Sequence, residues 1–410
     1  MNSKKRPSLL VVSQYYYPEQ FRINDMCEEW VKRGYDVTVV TGIPNYPQGK
    51  FFDGYGWFKR RKEVYNGVKI VRLPIISRDT SKIRLGLNYL SFMISGFIWK
   101  VFTKQQADLV FSFEVSPMSQ VLPAVWFAKR RKIPCIAYIQ DLWPENFIEM
   151  TGIKSGPIIR VIDRMTDYIY KNCKKILVTS NSFKKAVEER GVPGEKVDYW
   201  PQYAEDFYKP SEIVSPLVPN NDDVFTIAFT GNIGYAQGLE ILPEAAELLV
   251  EEGKKVRFLF VGDGRALDSL KNTIQQRNVE EYFFFLPRQK PESIPSILAG
   301  ADAAFLSFAP SPLFSKTIPA KLQSYMACGM PVLAVADGET HHMVEEADCG
   351  LCSKPGDIDG LVHNVNTLMQ NSGLLERFAS NALSFSDKTF NKKVLMDSID
   401  QEFLALLEVV

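Results

Sequence analysis

The amino-acid sequence predicts an α/β protein with two consecutive domains, each a doubly wound parallel sheet. Short apolar runs that suit buried strands alternate with amphipathic helical segments, an order typical of parallel sheets. The pattern starts again at Phe225, after a polar stretch that contains prolines. The chain has 410 residues, more than the ~250–300 that one hydrophobic core usually serves. We therefore expect one domain over 1–205, a linker over 206–222 and a second domain over 223–385.

Composition places the chain among ordinary globular proteins, with 46% hydrophobic and 23% charged residues. The net charge is zero, but residues 1–205 carry 32 basic and 20 acidic side chains, whereas the remainder carries 16 and 28. This asymmetry predicts different partners for the two halves. The basic half suits an anionic lipid surface or a diphosphate, and the alternative is that the two halves attract each other.

The cysteines and histidines do not form a recognisable metal-binding pattern. Six cysteines are scattered, Cys349 and Cys352 form one CxxC without a second pair, and the three histidines all lie late in the chain. We expect no metal site, and a reducing cytosolic environment. The apolar run Leu9–Val12 is too short for a signal peptide and suits a first strand.

In the N-terminal half, carboxylates follow two predicted strands. The run 108–113 leads to Glu114, and the run 133–139 leads through one glutamine to Asp141. Ligands of open α/β sheets bind outside the carboxyl ends of the strands. Both residues are therefore candidates for site chemistry, although a purely structural role for Asp141 is an equally good interpretation. The first strand is not followed by the GxGxxG of dinucleotide-binding domains.

Two segments of this half suit a membrane surface. Residues 51–62 combine exposed-type aromatic side chains with the basic run Lys59–Lys62. Residues 85–99 contain no charged side chain, but the run is shorter than the ~20 residues needed to span a bilayer. It is either a buried helix, which we favour, or a helix that lies in the interface.

The C-terminal half places small and basic residues where strands end, a pattern that suits a phosphate group. The turn Gly231–Gly238 lets backbone N–H groups approach an anion before a helix. Further positions follow later strands at the same predicted edge. They are Gly262, Gly264, Arg288, Lys316 and Lys321. Their convergence matches a nucleotide diphosphate in size and charge.

Taken together, the motifs of this chain resemble those of a known enzyme family. The strings span nearly the whole sequence and are specific as a set. They are SQYYYPE (13–19), QDLWPE (140–145), TSNSF (179–183), FTGNIGYAQGLE (229–240), FVGDG (260–264), PAKLQSYMACGMPVLA (319–334) and GLCSKPGD (350–357). The chain resembles the retaining glycosyltransferases of the family-four type. Among them it is most similar to the bacterial branch that builds O-antigen and capsule repeats, which includes N-acetylfucosamine transferases.

The resemblance implies the GT-B fold, in which two Rossmann-like doubly wound domains face each other across a cleft. It implies a nucleotide-sugar donor, here a UDP-sugar, on the C-terminal domain and an acceptor on the N-terminal domain. In this family the final helix, about 386–410, usually packs back on the N-terminal domain. The matched motifs imply acceptor contacts at Tyr16, Pro18 and Glu19. Asp141 and Glu114, which follow predicted strands, are the candidates for steering the acceptor or accepting its proton. The motifs imply donor contacts at Gly231, Asn232, Gly234, Gln237, Gly262, Gly264, Lys321 and Ser324, and the strand-end cations Arg288 and Lys316 are further donor-binding candidates.

This sequence departs from the family pattern at four donor-side positions. The Arg/Lys pair that usually binds donor phosphates falls at Asn232 and Gln237, and the usual pair of glutamates falls near Lys316 and Ser324. A serine can hold ribose hydroxyls only weakly. We expect the positive charge lost from the turn to reappear as Lys316 and Arg288.

The implied reaction is a retaining, metal-independent transfer without a cofactor, in which the leaving phosphate itself takes the acceptor proton. The implied acceptor is a polyprenyl-diphosphate-linked saccharide. It would bring the protein peripherally to the cytoplasmic face of the inner membrane, with no nucleic acid as a partner. Two alternatives stay open. One is a UDP-N-acetylhexosamine 2-epimerase on the same fold, for which His341-His342 is the candidate acid/base pair. The other is a non-catalytic protein that binds nucleotide sugars.

Overall fold

A computed structural model describes residues 7–79, 81–219 and 223–408, which form two compact units. The first unit runs from the start of the described chain to Thr179, and adds Phe183–Trp200 and the residues from Asp397 onward. The second unit comprises Ser180–Ser182 and Pro201–Met396, and therefore includes the described part of the predicted linker.

The first unit is built on an eight-stranded sheet. Its strands are β1 (Ser8–Val12), β2 (Asp36–Gly42), β3 (Lys62–Tyr65), β4 (Val68–Leu73), β5 (Leu109–Glu114), β6 (Cys135–Ile139), β7 (Lys175–Val178) and β8 (Val197–Tyr199). Its helices are α1 (Arg22–Lys32), α2 (Lys82–Phe102), α3 (Leu122–Arg131), α4 (Glu145–Thr151), α5 (Pro157–Asn172) and α6 (Asn181–Glu189). The strand order is β3-β4-β2-β1-β5-β6-β7-β8, and only β3 runs antiparallel.

The centre of this sheet is its topological switch point. β1 pairs with β2 on one side and with β5 on the other, both in parallel. The run Leu9–Val12 is fully buried, because a central parallel strand is covered on both faces. After β1 the chain continues to β2 on one side of the sheet, and after β5 it continues to β6 on the other side. The carboxyl ends of β1 and β5 therefore border the crevice where open sheets bind ligands.

The uncharged run 85–99 lies within a longer helix than the sequence predicted, and the favoured buried placement is wrong. α2 has 21 residues, because Lys82–Arg84 and Lys100–Phe102 extend the run at both ends. Along this helix Phe92 is buried, whereas Phe97 is 48% and Phe102 79% exposed. By length and composition, Ile83–Phe102 is the one helix of the described chain that is apolar and long enough to cross a membrane.

The second unit is built on a six-stranded sheet that is parallel throughout. Its strands are β9 (Phe225–Asn232), β10 (Val256–Asp263), β11 (Phe283–Leu286), β12 (Ala303–Ser307), β13 (Val332–Val335) and β14 (Gly350–Ser353). Its helices are α7 (Leu242–Glu251), α8 (Leu267–Gln276), α9 (Ile294–Leu298), α10 (Ala320–Ala327), α11 (Gly338–Glu346), α12 (Ile358–Met369) and α13 (Ser372–Thr389). The strand order is β11-β10-β9-β12-β13-β14, with apolar clusters on both faces.

The last helix, α14 (Lys392–Glu408), belongs to both units in turn. Its residues up to Met396 lie in the second unit, and those from Asp397 onward lie in the first. Within the first unit, Arg33 donates to the carboxylates of Asp397 at 2.6 Å and Asp400 at 3.1 Å. Phe403 packs against Trp30 with ring centroids 5.6 Å apart. The predicted fold class, two doubly wound α/β domains with parallel sheets, is confirmed.

Candidate functional site

In the second unit, the candidate donor residues lie at the carboxyl edge of the sheet. Gly231 and Asn232 end β9, and their partners across the ladder, Gly262 and Asp263, end β10. The turn after β9 reaches β12, because the backbone N–H of Ala309 donates to the Ala236 carbonyl at 3.0 Å. Ser307 at the end of β12 also donates its hydroxyl to the Gln237 carbonyl. These bonds fix the Gly-rich turn against three neighbouring strand ends.

Gly262 and Gly264 must be glycines for a structural reason that the sequence did not reveal. A Cβ atom on Gly262 would lie 1.9 Å from the Gly231 carbonyl oxygen, and one on Gly264 would lie 2.1 Å from that of Ile233. Both contacts are far inside van der Waals distance. The structure requires these glycines for the close approach of β9 and β10, and their role in letting a phosphate approach the backbone stays a prediction.

Lys321 is the cation that reaches the Gly-rich turn. It lies in the first turn of α10, and its Nζ donates to the Gln237 side-chain oxygen at 3.0 Å. The same Nζ lies 3.7 Å from the ring centroid of Phe229, on β9. The side chain is half-buried in the surface, and burial lowers the pKa of Lys321 to about 7. An ammonium group that is poorly solvated gains most when an anion arrives.

The other predicted donor residues differ in exposure and in distance from the Gly-rich turn. Asn232 is exposed, and its amide nitrogen lies against Gly234. Arg288 follows β11 and is exposed, and Lys316 ends a short 3₁₀ turn before α10. Within the described chain, no contact joins these two cations to the Gly-rich turn. Ser324 is buried, and its hydroxyl donates to the Ala320 carbonyl of its own helix at 3.3 Å.

In the first unit, Asp141 and Glu114 lie together at the carboxyl ends of β6 and β5. One oxygen of Asp141, Oδ2, accepts the backbone N–H of Ser116 at 2.8 Å and its hydroxyl at 2.6 Å. Glu114 is fully buried, and its Oε2 accepts the backbone N–H groups of Gln140 at 3.2 Å and Asp141 at 3.1 Å. Asp141 is half-buried and is the more accessible carboxylate of the two.

The two carboxyl groups differ in what they can do. Burial raises the pKa of Glu114 well above its usual range, and the negative charge of Asp141 raises it further. Burial therefore disfavours the charged form of Glu114, and its side chain fixes the backbone that carries Asp141. This makes Glu114 a positioning residue, and leaves Asp141 as the carboxylate that is accessible to a ligand.

A phenol and guanidinium cluster that the sequence did not single out faces this carboxylate. Arg78 donates to the Tyr15 hydroxyl at 3.4 Å and lies 5.0 Å from the ring centroid of Tyr46. Tyr89 on α2 joins the same cluster: burial raises its pKa, Arg78 opposes the shift, and Asp141 adds to it. Arg78 is half-buried and would supply positive charge to an anionic ligand.

The predicted acceptor residues Tyr16 and Glu19 lie in the interior, so neither side chain is on the surface where a ligand binds. Glu19 is 2% exposed, and its Oε1 accepts the backbone N–H groups of Asn45 and Tyr46, each at 2.7 Å. Burial raises the pKa of Glu19 to about 7, against the effect of these bonds. Tyr16 is 1% exposed. Glu19 holds the loop after β1, because its Oε2 also accepts the backbone N–H of Tyr16 at 3.3 Å. Pro18, in a cis peptide, is half-buried in the same loop.

Buried amides join the loop after β1 to α2. The side-chain nitrogen of Gln14 donates to the side-chain oxygen of Asn88 at 2.7 Å, and its backbone N–H donates to the side-chain oxygen of Gln120 at 2.8 Å. Asn88 also donates to the Ile76 carbonyl at 2.6 Å. The sequence contained one clue to this network. Asn88 is the one amide within the uncharged run 85–99, and a buried amide needs hydrogen-bond partners.

Family models match both units. Residues 20–202 match the glycosyl transferase 4-like domain, and residues 214–385 match glycosyl transferases group 1. WcaI of Escherichia coli K12, assigned as a colanic acid biosynthesis glycosyl transferase, is 25% identical over 94% of this chain and 97% of its own.

Solved structures share the fold at low sequence identity. Sucrose-phosphate synthase from Thermosynechococcus elongatus is 14% identical and superposes with a TM-score of 0.78, covering 99% of this chain and 100% of that one. HepE of Anabaena, solved in complex with UDP-glucose, is 15% identical with a TM-score of 0.68, covering 99% of this chain and 100% of that one. This likeness shows that the chain shares the GT-B fold. The two family matches make it a glycosyltransferase with a glycosyl transferase 4-like domain followed by a group 1 domain.

Proposed function

We propose that this glycosyltransferase moves a sugar from a UDP-sugar to a polyprenyl-diphosphate-linked saccharide, with retention at the anomeric carbon. The pathway we propose is bacterial polysaccharide synthesis of the O-antigen or capsule kind. WcaI, assigned to colanic acid biosynthesis, supports the pathway class, and HepE, solved with UDP-glucose, supports the donor class. The observation that carries the proposal is the approach of Lys321 to the Gly-rich turn.

The proposed role of Lys321 is to bind the diphosphate of the donor. The family's turn usually carries its own cation, whereas this chain has uncharged Asn232 and Gln237 there. The ammonium of Lys321 lies 3.0 Å from the side-chain oxygen of Gln237, so a positive charge returns to the turn from α10. We propose that it neutralises the leaving diphosphate, with Lys316 and Arg288 adding charge once a donor is bound. Charge on the leaving group is then balanced by protein cations, without a metal ion or cofactor.

The proposed acceptor site lies in the first unit around Asp141. Its Oδ2 is held by two bonds from Ser116, which orients the carboxylate and leaves Oδ1 for a ligand hydroxyl. In a retaining transfer the acceptor hydroxyl arrives on the face that the diphosphate leaves, and the departing phosphate takes its proton. The proposed task of Asp141 is to orient this hydroxyl, with Arg78 nearby to attract the anionic part of the acceptor.

The proposed sugar is an N-acetylated amino or deoxy-amino hexose such as N-acetylfucosamine. This choice rests on the resemblance of the whole motif set to that branch. A lipid-linked acceptor would also bring the first unit to the cytoplasmic face of the inner membrane as a peripheral protein. The 32 basic against 20 acidic residues of 1–205 support that partner.

A donor panel followed by a transfer assay tests the function. Thermal shift against UDP and a set of UDP-sugars identifies the donor, since a ligand that binds only the folded state raises the melting temperature. The preferred donor is then incubated with a polyprenyl-diphosphate-linked saccharide, and the product's anomeric configuration is determined by NMR. We expect UDP release only with acceptor present, and its loss in Lys321→Met but not in the exposed control Lys388→Met. Sugar epimerisation without acceptor, or no transfer to any lipid-linked acceptor, would refute the proposal.

A further inference from the structure

One flank of α2 forms a continuous apolar surface on the first unit. Its exposed side chains follow the three- and four-residue spacing of one helix face. They are Leu87, Leu90, Ile94, Phe97, Ile98 and Val101, each between 40% and 52% exposed. A patch of this kind on a globular unit marks a surface that meets a partner or a membrane. We call it the α2 flank.

The opposite side of α2 is fixed to the unit by polar bonds. Ser91 accepts the backbone N–H of Ile76 at 2.9 Å, and Ser95 donates to the Pro74 carbonyl. At the carboxyl end of the helix, Arg130 of α3 donates to the Val101 carbonyl at 2.7 Å. A helix that crossed a membrane alone would have to break these bonds and expose their polar groups to lipid. α2 can therefore offer its flank to a membrane while it stays part of the unit.

The charge around the flank is positive. Residues 80–140 contain eight lysines and arginines and only two acids, Asp108 and Glu114. Asp108 accepts from the backbone and hydroxyl of Ser8, and Glu114 is fully buried. The surface formed by α2 and α3 therefore attracts anions, which favours an anionic lipid leaflet over a protein partner with a neutral surface.

A basic cavity of about 650 Å³ adjoins the carboxyl end of the flank. Its lining combines Lys62, Lys104 and Arg61 with the apolar side chains of Ile98, Trp99 and Phe102, and contains no acidic residue. Arg61 is already engaged, because it donates to the carbonyls of Arg72 and Trp57. The two lysine ammonium groups are left to meet a ligand that is anionic at one end and apolar at the other.

We propose that α2 lies in the plane of an anionic leaflet, with its flank among the acyl chains and the phosphate of one phospholipid headgroup in the basic cavity. The mixed lining explains the choice of a lipid over a free phosphate, because Ile98 and Phe102 would contact the glycerol and upper acyl region. This inference rests on the membrane partner of the proposed function and names the surface that meets it. It is independent of the donor and the sugar transferred.

Vesicle flotation of the full chain, without donor or acceptor, tests the docking. We expect binding to vesicles of phosphatidylcholine with phosphatidylglycerol, weak binding to phosphatidylcholine alone, and a decrease with salt. Ile94→Glu and the double variant Lys62→Glu/Lys104→Glu should each weaken binding at least about tenfold. The matched controls are Ile213→Glu and Lys388→Glu, which change exposed residues of the second unit and should bind like the parent.

Two outcomes of this assay overturn the inference. One is unchanged binding in both α2-side variants, and the other is equal weakening in the controls. Inorganic phosphate separates the two sources of the anion. If phosphate binds through Lys62 and Lys104 while anionic vesicles do not bind, the cavity is a small-anion site. UDP binding is measured on every variant as a check of folding. If the parent chain does not bind anionic vesicles but still binds UDP and transfers sugar, this inference is refuted and the proposed function stands.

Depth measurements test the in-plane orientation directly. Leu87 and Val101 lie on the flank 14 residues apart, a separation of about 21 Å along the helix. Fluorophores on Leu87→Cys and on Val101→Cys should be quenched equally by brominated lipids of a given depth if α2 lies flat. Clearly different depths would show a spanning helix and refute the inference. Labelling is selective because five of the six native cysteines are buried and Cys352 is partly so.

Discussion

Lys321 should make UDP binding weaken as the pH rises above neutral. In the unliganded protein burial lowers the pKa of Lys321 to about 7, so the ammonium loses its proton over the range in which most lysines stay charged. A bound diphosphate next to Nζ would favour the charged form and raise this pKa again. Binding above pH 7 therefore takes up a proton, and proton uptake makes affinity fall with pH.

The size of the effect follows from the two pKa values. If the pKa is about 7 without UDP and well above 9 with it, the dissociation constant rises about 50-fold between pH 7 and pH 9, or about 2.3 kcal/mol. The terminal phosphate of UDP, with a pKa of roughly 6, is nearly fully ionised by pH 7 and would act in the opposite direction. The contacts of Nζ, to Gln237 and the Phe229 ring, carry no titratable group.

Isothermal titration calorimetry with UDP from pH 6 to pH 9 measures this dependence. Repeating the titration in buffers of different ionisation enthalpy gives the number of protons taken up, which should approach one near pH 8.5. Lys321→Met should bind weakly and with no pH slope, whereas the control Lys388→Met, an exposed lysine of the same unit, should keep the parent's slope. A flat parent profile, or an unchanged slope in Lys321→Met, would refute the reasoning.

Three further predictions concern the strand ends. Asp141→Asn should lower kcat of transfer at least about 100-fold with unchanged UDP affinity, because it removes the carboxylate that we propose orients the acceptor hydroxyl but removes no donor contact. Equal losses in kcat and in UDP affinity would contradict this assignment. Glu114→Gln should retain stability and most of the activity, since burial disfavours the charged form of this carboxyl and the amide oxygen can still accept the backbone N–H groups, whereas Glu114→Ala should be destabilised in urea melts by about 2 kcal/mol. Gly264→Ala should cost about 2 kcal/mol in the same melts, because the new Cβ meets the Ile233 carbonyl, while Gly373→Ala, with open space around it, should be neutral. Similar melts for both glycine variants would show that the β9–β10 approach can relax.

The sequence identified residues near the strand ends but did not reveal which of their side chains are buried. Glu114, Tyr16 and Glu19 were expected near the acceptor, yet all three side chains are buried, and the two glutamates accept backbone N–H groups. A sequence motif gives the order of residues along a turn, but it does not show which side chains are buried by the rest of the protein. Burial depends on neighbours distant in the chain, such as Asn45, whose backbone N–H binds Glu19.

The sequence by itself determined the two doubly wound domains and the edges of the sheets where ligands bind. Strand and helix periods are local properties, and parallel connections place successive strand ends at one edge. Only the tertiary structure decided that the side chain of Lys321 reaches the Gly-rich turn, that Gly264 is needed for strand packing, and that the α2 flank is exposed. Each of these features depends on whether segments far apart in sequence contact each other. A local sequence pattern cannot show which side of a helix is buried against the rest of the chain.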